Sequence, residues 1–512
     1  MHDLGGSRSA AVVVIIGSAV LGIATLSGQQ HPQEDNTARD EEDAIHDGTT
    51  KWSIWRAVAA AQLLFFSRRP PPATQTPSTE VPGPPPLMPG ILSSIGNTPM
   101  MRVNSLSAAT GCEIFIKCEF ANPGGSVKDR VALRIIQEAL QSGRLIPGGV
   151  VTEGTAGSTG VSLAMVARAL GCKAHLFLPD DAAVEKCQLM EAYGATVERV
   201  RPVSITHRGH FVNQARRRAE AETAGEGPGA GFFADQFENL ANFRAHLEGT
   251  APEIWRQCGG ELDAFVCAAG TGGTLAGVAH FLLEKDRKIK CFLVDPAGSG
   301  LYNKVTRGVM YTREEAEGKR LRNPFDTITE GVGINRLTAN FAIAIGAGGS
   351  GGGSGGLSLD RRSGGSPSLD NGRQLTASYP ISDRDAAAAC TSVLIRRPES
   401  GHSTPEASTS RPLNAPLLSL LSGAFKASDQ EAVEMSRYLA REDGLFLGSS
   451  SCVNIVGAVK VARTLGPGHR VVTIACDSGV RHLSKFWNPE YVERYGLKPE
   501  AVGLEFLARH DA

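Results

Sequence analysis

The sequence predicts an α/β fold built on parallel sheets, and two patterns carry that prediction. From about residue 90 to 345, short runs that are apolar throughout alternate with helical patterns, and the alternation resumes after residue 423. Strands apolar on both faces and separated by helices belong to parallel sheets covered on both sides. The composition agrees, since 41% hydrophobic and 6% aromatic residues suit a globular chain and exclude a fibrous or wholly disordered one. At 512 residues the chain exceeds a single domain of about 150 residues. Lys and Arg total 52 against 53 Asp and Glu, so the net charge of −1 gives no general attraction to nucleic acid, which is not expected as a partner.

Along the chain, residues 10–26 form an uncharged apolar run of 17 residues, at the lower limit for crossing about 30 Å of hydrocarbon as a helix. The run reads as a membrane anchor, with a targeting leader or a soluble tail as alternatives. Residues 52–66 are apolar too, but Arg56 lies inside them, so an interfacial amphipathic helix or a solvated one is expected. A proline-rich spacer over residues 70–89 then ends a leader region, 1–87, ahead of the folded part. The ten cysteines, among them Cys112, Cys118, Cys172, Cys187, Cys267 and Cys476, include no C-x-x-C pair and no zinc-like spacing with histidine. Buried, reduced thiols in an intracellular compartment and no metal are the expectation.

The folded part carries its chemistry at the ends of its strands. Asn122 to Arg130 (NPGGSVKDR) place Lys128 between a glycine turn and an amphipathic helix bearing Val131, Ile135 and Leu140. A lysine there can form a Schiff base with a carbonyl cofactor, although the pattern alone fits a solvated surface lysine better. The strand VVTEG (150–154) runs into Gly154, Thr155, Ala156, Gly157, Ser158, Thr159 and Gly160. Hydroxyls and free N–H groups at the following helix would bind a carboxylate, unless this is an ordinary capped loop. Further strands are expected at 173–179 and 195–200. The strand AFVCAAG (264–270) leads into Gly270, Thr271, Gly272, Gly273 and Thr274 at the start of another helix. This loop lacks a P-loop lysine and the dinucleotide glycine spacing, so a single phosphate monoester is its best ligand. A strand at 290–296 follows. Residues 346–423 are rich in Gly, Ser and Pro and read as a disordered insertion. Strands are expected again at 445–448 and 470–476, the latter bringing Ser478 to a carboxyl end of the sheet as a ligand or merely a helix cap.

Together these motifs resemble the cysteine synthase and cystathionine β-synthase family of pyridoxal-phosphate enzymes. The likeness covers about residues 91–345 and 424–500 and includes IGNTP (95–99), DQFEN (235–239), EGVG (330–333) and RHLS (481–484). The wording GTAGSTG and CDSGVRHLSKFW resembles the fungal mitochondrial-type branch. The resemblance implies fold type II, tryptophan synthase β-like: two parallel-sheet α/β domains around a central cleft, the smaller from about residues 125–245, usually as a homodimer. It implies that Lys128 holds pyridoxal 5'-phosphate and then removes the substrate's α-proton. Gly270, Thr271, Gly272, Gly273 and Thr274 would hold the phosphate, and Ser478 the pyridine nitrogen. Thr155, Ala156, Gly157, Ser158 and Thr159 would clamp the α-carboxylate, with Gln236 near the substrate. A neutral serine at the ring nitrogen makes a weaker electron sink, which favours β-elimination over transamination. Two departures stand out: Ser158 where many members have asparagine, and Leu240 where proline is usual.

The activity implied is O-acetylserine sulfhydrylase, turning O-acetyl-L-serine and sulfide into L-cysteine and acetate, in a mitochondrial, membrane-anchored or cytoplasmic setting. A cystathionine β-synthase on the same scaffold is an alternative, against which stand the 34 residues after Ser478, too few for a regulatory domain pair. A serine dehydratase-like β-elimination enzyme is another alternative, against which stands the S-V-K-D-R wording around Lys128. A catalytically inactive tethered homologue, motivated by Ser158 and the insertion, is the remaining alternative.

Overall fold

The computed structural model describes residues 88–155, 157–312, 327–346, 419–501 and 503–508. The expected anchor at 10–26, the helix at 52–66, most of the proline-rich spacer and residues 347–418 of the insertion lie outside them. Among the described residues no helix is long and apolar enough to cross a membrane.

The strands, in chain order, are β1 (Met100–Arg102), β2 (Glu113–Cys118), β3 (Val150–Gly154), β4 (Lys173–Pro179), β5 (Thr196–Val200), β6 (Gly231–Phe233), β7 (Ala264–Ala268), β8 (Lys290–Pro296), β9 (Gly423–Ala427) and β10 (Arg470–Ala475). They form two sheets. The smaller runs β5-β4-β3-β6 and is parallel throughout; the larger runs β1-β2-β10-β7-β8-β9 and is parallel except for β1 against β2. Every residue of β3 and β7 is buried, as strands covered on both faces require. Alternation of side chains divides the larger core in two. Ala264, Val266 and Ala268 join Ile114, Val294 and Val453 on one face, while Phe265 and Cys267 join Leu275, Val278 and Leu293 on the other. A third cluster, with Val131, Ile135, Val151, Leu163 and Leu176, fills the smaller sheet.

The expected strand at 445–448 is corrected: Leu447 makes one isolated bridge to Ser478, and Gly448 is already the N-cap of the Ser449–Leu465 helix. A four-residue apolar run between two helices has no length left to pair. Conversely β2 was not anticipated, because Glu113 and Lys117 interrupt its apolar pattern. Lys117 is nevertheless fully buried, donating to Thr98 O at 2.5 Å and pairing with Glu253 at 2.7 Å. Strand β9 also begins inside the stretch read as insertion. Its neighbours close the gap on both sides: Leu420 N donates to Ala344 O at 2.9 Å and Ser422 N to Cys291 O at 2.7 Å. Nine cysteines lie in described residues, all free thiols, eight buried and Cys476 half-buried.

Candidate active site

Three connections at carboxyl ends of strands converge on one cavity of about 200 Å³, where ligands of open parallel sheets collect. The first is the turn before the Lys128–Gln141 helix. Val127 N donates to Cys476 O at 2.9 Å and Ser126 bridges to Asp477, so the end of β10 fixes the turn. Asp129 closes it, accepting from Gly124 N at 2.6 Å and from Ser162 Oγ at 2.5 Å. Lys128 is thereby aimed into the cavity, where its Nζ makes no hydrogen bond or ion pair with a described residue. Burial pushes its ammonium down from the ordinary lysine value, against the opposing pull of the Cys476 and Cys267 thiols and Asp477.

The second connection follows β3. Thr155, Gly157, Ser158 and Thr159 line the cavity, and the Ser158–Ala169 helix points its positive end at it. Ala156 lies outside the described residues. Thr159 Oγ1 donates to Gln236 Oε1 at 2.6 Å, while Gln236 N donates to the fully buried Glu153 at 3.1 Å. Ser158 Oγ sits between Asp477 Oδ2 at 3.3 Å and Arg481 at 3.4 Å. Its short side chain ties this loop to the end of β10.

The third connection, after β7, is the glycine-threonine loop. Gly270, Thr271, Gly272 and Thr274 line the cavity, whereas Gly273 packs beneath the loop against Asn242. Gly272 has φ of +89°, and a Cβ there would stand 2.5 Å from Phe341 Cβ, so only glycine fits both the backbone and the space.

Ser478 is not among the cavity-lining residues. Its Oγ caps the Gly479–His482 turn, accepting from Val480 N at 3.3 Å, and donates to Phe446 O at 3.4 Å. Here its hydroxyl serves as a cap, and the preceding Cys476 and Asp477 line the cavity. The remaining wall is charged and had not been singled out. Lys186 pairs with Glu330, whose carboxylate also lies 3.4 Å from His482 Nδ1 and 3.5 Å from Lys485. His482 Nε2 is 2.9 Å from Asp477. Burial opposes ionisation of both carboxyls, yet Lys186 and His482 around Glu330, and His482 beside Asp477, outweigh it and hold both below the usual range. Burial likewise opposes the imidazolium of His482, and Asp477 overcomes it, so that group titrates above an ordinary histidine. Glu330 and His482 stand inside motifs quoted above, where a role was readable from neither. Lys186 is an ordinary helical lysine in the sequence and carried no signal at all.

These residues fit one kind of cofactor: an aldehyde for the Lys128 amine, unpaired among the described residues, on a small molecule bearing a phosphate for a loop whose glycine positions leave no room for a Cβ. The model of the family described as pyridoxal-phosphate dependent enzyme matches residues 91–345. The chain belongs to this family. It is 44% identical to cysteine synthase 2 of Schizosaccharomyces pombe, over 82% of this chain and 88% of that one. It is 45% identical to cysteine synthase 2 of Neurospora crassa, over 82% and 79%. A relative from Saccharomyces cerevisiae that carries the name of a mitochondrial cysteine synthase is 42% identical over 78% and 84%. Among solved structures, an O-acetylserine dependent cystathionine β-synthase from Helicobacter pylori superposes with a TM-score of 0.54 at 26% identity, over 78% of this chain and 98% of that one. The protein is thus a pyridoxal-phosphate dependent enzyme with two parallel-sheet modules.

Proposed function

We propose that the protein is a cysteine synthase, exchanging the acetate of O-acetyl-L-serine for sulfide to give L-cysteine. The observation that carries this reading is the unpaired Nζ of Lys128, set in one cavity between a loop suited to a phosphate and a loop suited to a carboxylate. Pyridoxal phosphate, when bound, supplies the electron sink that makes the substrate's α-proton removable. Lys128 would hold it, with Gly270, Thr271, Gly272, Gly273 and Thr274 around the phosphate. The N–H groups and hydroxyls of Thr155, Gly157, Ser158 and Thr159 would take the α-carboxylate at a helix N-terminus, and Gln236 would order Thr159. Lys128 Nζ, its ammonium disfavoured by burial, is suited to accept the α-proton. Acetate then departs from the β-carbon without a strong acid, and sulfide takes its place. The names of the fungal relatives support this substrate pair. The yeast relative's name supports a mitochondrial setting, and a homodimer and a tether at residues 10–26 belong to the same proposal; light scattering and alkaline extraction of membranes test them.

Purified full-length protein should show visible cofactor absorbance that O-acetylserine changes and sulfide restores, with cysteine formed. Lys128→Ala should lose both the absorbance and the activity while remaining folded. A cofactor-loaded protein indifferent to O-acetylserine would overturn the substrate assignment, and a wild-type protein that takes up no pyridoxal phosphate would overturn the enzyme reading.

A further inference from the structure

We infer that Asn242 and His246 are positioning residues that turn the hydroxyl hydrogens of Thr271 and Thr274 into the cavity, as donors to a phosphate dianion. The inference rests on the reading of the 270–274 loop as the phosphate seat. Its basis is a contact beneath that loop. The Ala241–Ala245 helix continues through a π turn, His246–Thr250, and packs on the Gly273–Lys285 helix. The approach is backbone to backbone: a Cβ on Gly277 would stand 2.7 Å from Phe243 O and 2.9 Å from His246 Cβ, and one on Gly273 would overlap Asn242 Oδ1. Asn242 and His246, four residues apart and so on one helix face, come to lie under the two threonines.

Each threonine has a single hydrogen and two lone pairs to distribute. Asn242 Nδ2 donates to Gln236 O at 2.9 Å, an atom that can only accept, which sets the orientation of the amide. The same Nδ2 donates to Thr271 Oγ1 at 2.8 Å. Thr271 thus accepts from below and keeps its hydrogen for the cavity side. His246 is fully buried, with Nε2 at 3.1 Å from Thr274 Oγ1 and Nδ1 at 2.9 Å from Thr250 Oγ1. Burial, together with the cations Lys128 and Arg130 and against Glu253, keeps its ring neutral. A neutral ring has one donor and one acceptor, so its tautomer decides which way Thr274 points. With hydrogen on Nε2, Thr250 donates to Nδ1, the ring donates to Thr274, and the Thr274 hydrogen faces the cavity. With hydrogen on Nδ1, Thr274 spends its own hydrogen on the ring and presents lone pairs to the anion. A bound dianion selects the first arrangement. The π turn begins at His246 and ends at Thr250, the two residues that share the Nδ1 hydrogen bond, and such turns recur at functional sites.

The test compares apoprotein affinities for pyridoxal phosphate and for pyridoxal, which lacks the phosphate, by titration of the full chain. Their ratio isolates the phosphate contribution. Thr274→Val should lower it by about ten- to a hundredfold, the worth of one hydrogen bond to a charged group. His246→Leu should lower it to a similar extent, the double variant should lose nothing more, and His246→Gln, which keeps an N–H near the Nε2 position, should stay within about threefold of wild type. An unchanged ratio in Thr274→Val would overturn the phosphate seat itself. A lowered ratio in Thr274→Val with none in His246→Leu, or with fully additive losses, would overturn the positioning role while the seat stands. If His246→Leu does not fold, Thr250→Val removes the donor to Nδ1 and should lower the ratio without changing pyridoxal affinity; an unchanged ratio there refutes the relay.

Discussion

Glu153 offers the sharpest quantitative test of how the site is held. It is the next-to-last residue of β3, is fully out of solvent, and accepts from Gly154 N at 3.0 Å and Gln236 N at 3.1 Å, so it sets the loop that carries Thr155 and the side chain that orders Thr159. Burial pushes its carboxyl up to about 8, with nearby Asp235 adding to the effect and the two backbone donors only partly opposing it. An unfolded glutamate titrates near 4.3. Between those values the native chain binds one proton more than the unfolded one, so stability contributed by this group is complete below the lower value and is lost as pH rises through the upper one. Each pH unit in that window is worth about a factor of ten in the folding equilibrium, and the whole window roughly 5 kcal/mol. Glu153→Gln cannot titrate, and it trades an acceptor for an N–H beside a backbone donor, a cost of about 1–3 kcal/mol. Urea unfolding of both proteins from pH 5 to 9 should therefore show the wild type falling relative to the variant as pH rises, with the two converging or crossing at the alkaline end. Parallel curves would refute the argument that a buried, protonated Glu153 supports the site.

The cavity yields three further expectations. Gly272→Ala combines a left-handed backbone with overlap against Phe341, a strain of about 2–4 kcal/mol, and should weaken cofactor affinity at least tenfold in an equilibrium titration; unchanged affinity would remove the loop from the cofactor site. Lys186→Met keeps the stem but removes the charge opposite Glu330, whose remaining partners His482 and Lys485 soften the loss to about 1–3 kcal/mol, against 3–5 for an isolated buried pair; denaturant unfolding without a shift would count against it. Deleting residues 347–418 should leave cofactor absorbance intact, since Leu420 already hydrogen-bonds Ala344 across the gap, and an apoprotein from that deletion would show that the segment belongs to the fold.

The fold class was legible because it rests on local pattern. The run Ala264–Ala268 is apolar throughout, and Val150–Gly154 and Lys290–Pro296 are mostly so; only a sheet covered on both faces buries such strands. Loops whose glycines, hydroxyls and lysine stand next to one another in sequence were legible for the same reason: the chemistry of Lys128 and of Gly270 to Thr274 is written within a few residues of chain. Burial of the Lys117 ammonium within β2 was not legible, because its counter-charge, Glu253, comes from a helix 136 positions later in the chain. Nor were the partners of Ser478 legible, since its hydroxyl donates to Phe446 O, 32 positions earlier in the chain, as it accepts from Val480 N. Tertiary structure alone brings Lys186, Glu330, Asp477 and His482 into one charged wall, and alone sets Asn242 and His246 beneath two threonines. A sequence states which groups a strand end can offer; the directions in which those groups point depend on partners that the chain supplies from elsewhere.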